Sequence, residues 1–83
     1  MLKASLADLA LQASAVVESL DMDFALRERL FALGLRTGRT IRVVRRFGRH
    51  GPLQVRVDHT DVILRGAEAR RICVVPVGGE AQA

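Results

Sequence analysis

The chain has 83 residues, room for one domain. Its small core has to be apolar, because folding at this size buries only about 60–65% of the unfolded surface. With 49% hydrophobic and 27% charged residues and a net charge of +4, the composition excludes a disordered or collagen-like chain and a large cleft between catalytic domains.

Ser5-Leu-Ala-Asp8 has the spacing of a capping box, and Leu2, Leu6 and Leu9 share a helical face, so a short helical turn is expected near residues 5–9. Ala13 to Leu20 has β-branched residues and no helix cap, and reads as a strand. Asp21-Met-Asp23 is an N-cap region for the clearest element, a helix over Phe24 to Leu33. Leu26, Leu30 and Leu33 fall at i, i+4 and i+7 on one apolar stripe. Phe31 lies beside that stripe and is expected in the core. Gly34 stops the helix as a left-handed residue, and Leu35 folds back as the hydrophobic contact of such a stop.

From Thr40 the period changes to two. Thr40 to Arg46 is a strand with Ile41 and Val43 on one face and Arg42 and Arg46 in the opposite phase. Phe47 to Pro52 is a Gly-rich loop, and Phe47 is expected to be the one exposed ring. Leu53 to Val57 alternates strictly, with Gln54 and Arg56 outward, so the two strands form a hairpin. Asp58 to Asp61 is a turn, Val62 to Arg65 a fourth strand, Gly66 to Arg71 a helical turn, and Ile72 to Val75 a fifth strand ended by Pro76. Residues 1–76 read as one domain and 77–83 as a flexible tail. The fold class is mainly β: a small, partly open barrel of about five strands with one inserted α-helix. Such a barrel fills its interior with Val, Ile and Leu, so activity belongs on a rim, loop or edge.

No apolar run approaches the ~20 residues of a membrane span, and the N-terminus lacks the layout of a secretory signal. The single cysteine, Cys73, excludes an intrachain disulfide and suits a reducing cytosol. Charge is uneven. Residues 1–26 carry −3, residues 27–56 carry +8 from nine arginines against Glu28, and residues 57–83 carry −1. The basic middle suits an acidic partner or phosphates; read blandly, it is a solvated face. Arg36, Arg39, Arg42, Arg45, Arg46 and Arg49, with Phe47, are the candidate partner-binding residues.

No nucleophile elbow, phosphate loop or carboxylate pair is present, so an enzyme is not expected. Cys73 sits on a strand and reads as a half-buried thiol. His50, Asp58, His59 and Asp61 are the candidate metal ligands. Without a cysteine pair they do not make a closed structural zinc site, and a divalent ion held between two chains is the sharper form of that reading. Three Phe and no Trp or Tyr disfavour a base-stacking surface and the aromatic groove that binds proline-rich peptides.

The run Arg29-Leu-x-x-Leu33-Gly-Leu35-x-x-Gly38, followed by Leu64-Arg65, Ala69 and Ile72, resembles the FeoA family of small SH3-like proteins of bacterial ferrous iron uptake. Leu26, Leu30, Leu33, Gly34 and Gly38 are the structural positions of that pattern. Two departures are visible: Gln12 and His59 stand where the family usually has glycine before its first and fourth strands. The resemblance implies an SH3-like fold and a cytoplasmic accessory protein. It implies a partner, the cytosolic G-protein region of a FeoB-type transporter, with no direct membrane insertion. No cofactor is required by it; iron or zinc bridging a homodimer is the metal alternative. Similar domains end metal-dependent repressors of the DtxR type, but no helix-turn-helix precedes the barrel here. A basic nucleic-acid-binding or metal-responsive regulatory domain is the competing reading.

Overall fold

Alternation of apolar and polar residues builds most of the molecule. The computed structural model describes residues 3–77. Its strands are β1 (Ala4–Ser5), β2 (Ser14–Leu20), β3 (Thr40–Arg46), β4 (Leu53–Val57), β5 (Thr60–Leu64) and β6 (Ile72–Pro76). Two helices, α1 (Phe24–Ala32) and α2 (Gly66–Arg70), interrupt them. The strands form one antiparallel sheet in the order β1-β6-β2-β3-β4-β5. It is not closed: β1 and β5 are its edges. Six strands replace the expected five because residues 4–5 pair with β6 before the 3-10 turn Leu6–Asp8 begins. The Ser5 hydroxyl caps that turn, accepting from the Ala7 N–H at 3.2 Å. Leu2 and, of the tail expected over 77–83, residues 78–83 lie outside the described residues, while the Val77 N–H donates to Ser14 O at 3.0 Å.

The inward positions of the sheet, Ala15, Val17, Ile41, Val43, Leu53, Val55, Val57, Val62, Leu64, Ile72 and Val74, are all buried. Leu6, Leu9, Leu30, Leu35 and Ala69 close the same cluster. Two irregularities shift the register, one in β2 between Val17 and Ser19, the other in β3 between Val43 and Arg45. Such bulges insert one unpaired residue and bend the strand.

Helix α1 starts as expected, with the Asp23 carboxylate accepting from the Leu26 N–H at 2.9 Å. It ends one residue early, at Ala32. Gly34 at φ +98° donates to Phe31 O, and Leu35 donates to Leu30 O, each at 2.9 Å. This is a Schellman stop. The reversal puts Leu35, 0% exposed, where the stripe expected Leu33, which is 43% exposed. Leu33 is therefore not a core residue, while Leu30 is buried and Leu26 partly so. Phe31 is also exposed, as are Phe24 and Phe47, so Phe47 is not the single exposed ring.

Both glycine departures concern real turns. Gln12 takes φ +68° itself, anchored by its N–H to Val43 O at 2.7 Å and its side-chain amide to Val44 O at 3.2 Å. At the β4–β5 turn the left-handed residue is Asp58, φ +57°, not His59. Asp tolerates that conformation better than most residues, and β5 accordingly begins at Thr60.

Candidate functional site: an arginine face on the outer sheet

Strands β3, β4 and β5 present one outward face. Arg42 stands opposite Arg56, and Arg56 opposite Asp61, so three charged side chains form a row across the strands. The next row is Arg45, Gln54 and Ile63. Like charges directly opposite are unfavourable; Asp61 relieves the pair. It accepts from Arg56 Nε at 2.7 Å and Nη2 at 3.1 Å, and from the Gln54 amide at 2.9 Å. These hydrogen bonds, from Arg56 first and Gln54 second, hold the Asp61 carboxyl below its ordinary range, and the nearby Arg42 charge adds to the effect. Ile63 is 59% exposed on this face, and the Arg45 guanidinium lies 5.9 Å from the centre of the Phe47 ring.

The bulge redistributes the expected arginines. Arg45, not Arg46, shares the outward phase with Arg42, because the extra residue Val44 reverses the alternation. Arg46 instead pairs in register with the buried Leu53. Its guanidinium donates to Ala7 O at 2.8 Å and Leu9 O at 2.6 Å, tying β3 to the 3-10 turn. Arg36 stacks 4.4 Å over the Phe31 ring, on the α1 side. Arg39 pairs with Asp58 at 2.9 Å. Arg49 is exposed in the β3–β4 loop. Of the seven residues expected to bind a partner, the fold gathers Arg42, Arg45 and Phe47 on this face and places the other four elsewhere. Arg56 belongs with them; its outward position followed from the alternation of β4.

The four candidate metal ligands do not come together within one chain. Asp58 and Asp61 are committed to Arg39 and Arg56. His50 precedes β4 and His59 follows it, so the length of that strand, about 17 Å at ~3.3 Å per residue, lies between them. Among the described residues no group of three or more His, Cys, Asp or Glu is placed to hold a metal. Cys73 is half-buried.

A family model, the FeoA domain, matches residues 4–76. The chain belongs to the FeoA family. FeoA from Stenotrophomonas maltophilia, solved in complex with zinc, is 37% identical, with 89% of each chain covered and a TM-score of 0.72. It is described as a prokaryotic SH3 domain protein and advanced there as a bacterial ferrous iron transport activating factor. FeoA from Chlorobium tepidum is 30% identical over 92% of this chain and 72% of its own, with a TM-score of 0.86. A manganese-dependent transcriptional repressor, 22% identical with a TM-score of 0.80, shares the fold; this chain spans 42% of its length. No curated protein matches the chain. The FeoA family is associated with ferrous iron transport, and the fold is SH3-like, as the motif string implied. No helix among the described residues is long and apolar enough to cross a membrane.

Proposed function

We infer that this FeoA protein is an accessory factor of ferrous iron uptake that works by binding rather than catalysis. It docks through the outward face of β3, β4 and β5 onto an acidic surface of the cytosolic G-protein region of a FeoB-type transporter. The observation that carries this reading is the clustering of Arg42, Arg45 and Arg56 on one face beside exposed Ile63 and Phe47. Arginine and aromatic side chains are the favoured anchors of protein interfaces. The reading places the protein in the cytoplasm, at the inner membrane through its partner.

A binding titration against the transporter's cytosolic part, run at two ionic strengths, tests it. Reversing Arg42 and Arg45 to Glu slows association about tenfold at low salt and less at high salt. Phe47→Ala acts mainly on the off-rate, with little salt dependence. Iron uptake by cells falls in both cases. Binding unchanged in both variants overturns the assignment and directs attention to the exposed side of α1, where Phe31, Arg27 and Glu28 lie. Binding of DNA or RNA with a steep salt slope, and none of the transporter, establishes the nucleic-acid reading instead.

The zinc complex of the Stenotrophomonas relative favours one secondary reading, a divalent ion bridging two chains through exposed His50 or His59. Zinc-dependent dimerisation in sedimentation supports it; a monomer at high zinc and neutral pH refutes it.

A further inference from the structure

A second basic cluster lies away from the arginine face. A cleft of about 270 Å³ opens between the β3–β4 loop, the 3-10 turn and α2. Arg46, Arg49, Arg70 and His50 line it, with Asp8 as the acid on its wall. Three guanidiniums against one carboxylate leave two positive charges in excess. None of the side chains of Arg49, Arg70, His50 and Asp8 makes a hydrogen bond or ion pair among the described residues. The ion pairs that do form lie elsewhere, on Lys3, Arg29, Arg39 and Arg56.

The walls are built by close packing. A Cβ at Gly66 would overlap the His50 carbonyl oxygen and press the Gly51 carbonyl at 3.3 Å. Only glycine lets the loop backbone sit directly on the start of α2. That contact sets Arg49 and His50 beside Arg70, one helical turn beyond Gly66. Arg46 is fixed from the other side by the carbonyls of Ala7 and Leu9, so one guanidinium is pre-organised and two are free to close.

We propose that this cleft is an anion site that takes a phosphate or diphosphate group. The excess of two guanidiniums matches the charge of about −1.5 to −2 that a phosphate monoester carries at neutral pH. Arginine forks bind its oxygens bidentately. The volume falls just below the ~300–1,000 Å³ of pockets that enclose a whole drug-sized ligand, so the phosphate end enters and any remainder stays outside. The group comes either from a small free anion or from a lipid headgroup.

The full chain is titrated with inorganic pyrophosphate at about 0.15 M salt, following the His50 ring and the Arg49 and Arg70 side chains by NMR. Vesicles containing phosphatidic acid, whose headgroup is a phosphate monoester, with phosphatidylcholine as control, form the second arm. Pyrophosphate shifting those signals, with affinity at least about tenfold weaker in the Arg49→Gln/Arg70→Gln protein, supports a free anion. Phosphatidic acid binding lost in the same variant assigns the phosphate to a headgroup. Both arginines are exposed and unpaired, so the variant keeps the wild-type melting temperature and a loss reports on binding. Arg42→Glu, in the row opposite Arg56 and outside the cleft lining, retains pyrophosphate affinity within about twofold, since exposed charges that do not touch the ligand are screened at this salt; this separates the site from the docking face. Absence of binding in both arms, or binding indifferent to Arg49 and Arg70, overturns the proposal.

Discussion

Leu30→Ala removes three carbons from the one fully buried side chain of α1, 2% exposed in the wild type. At ~0.8 kcal/mol per buried methylene the transfer loss is about 2.4 kcal/mol. The cavity left behind adds to it, because most members of the core cluster that holds Leu30 are sheet residues fixed by ladder hydrogen bonds and collapse little. The total falls at about 3–4 kcal/mol, within the usual range for Leu→Ala. A domain of 83 residues has about 4–12 kcal/mol in all, so the variant loses a large share of its stability. Leu33→Ala is the control. It lies on the same i, i+7 stripe as Leu26 but past the Schellman stop at 43% exposed, and its truncation costs no more than about 1 kcal/mol. Urea melts of the three proteins, compared at constant m-value, measure both. Equal losses at the two positions would mean that the helix continues through Leu33 and that Leu35 does not replace it.

The bulge in β3 predicts a second contrast. Arg46→Ala strips two carbonyls of a charged donor and costs about 1.5–3 kcal/mol, whereas Arg45→Ala stays within about 0.5 kcal/mol; both are read from urea melts. Asp61 titrates by NMR below the ordinary ~3.9 of aspartate, because its carboxylate accepts from Arg56 and Gln54. Its pKa is lowered on folding, so its stabilisation is present above the unfolded value and disappears as pH falls through the folded one. Asp61→Asn therefore flattens the acid limb of the stability profile while leaving the alkaline limb in place; an unchanged acid limb would place the ion pair outside the folding equilibrium.

Local signals were enough for most of the fold. The strict alternation of Leu53 to Val57, the Asp23 cap and the Gly34 stop each act within a few residues, and each is where the sequence placed it. What escaped was decided at a distance. The β3 bulge stands against Gln12, whose N–H and side-chain amide hold the carbonyls of Val43 and Val44 from a turn about 30 residues upstream. One inserted residue reverses every later side chain, so Arg46 exchanged roles with Arg45. Of the candidate metal ligands, His50 is parted from the other three by the length of β4, and Asp58 and Asp61 are taken by arginines. Arg70 carried no signal at all, because its place in the cleft depends on the approach of the His50 backbone to Gly66.

The same redistribution explains why net charge is a poor guide to this surface. The middle of the chain reads as one basic block of nine arginines against a single glutamate. Folding gives these residues different work. Arg29, Arg39 and Arg56 meet Glu68, Asp58 and Asp61, which come from later in the chain. Arg46 serves two backbone carbonyls, and Arg36 covers Phe31. An arginine already paired with a carboxylate must give up that partner, or share it, to bind another anion, so its contribution to association is small. Apart from Arg36, the arginines of this block left without a carboxylate or carbonyl partner among the described residues are therefore Arg27 on α1, Arg42 and Arg45 on the outer sheet, and Arg49, which stands beside Arg70 at the cleft. The broad basic patch that the sequence suggests is thus divided by the fold, and the two places where unpaired arginines gather beside one another are the ones for which docking and anion binding are proposed.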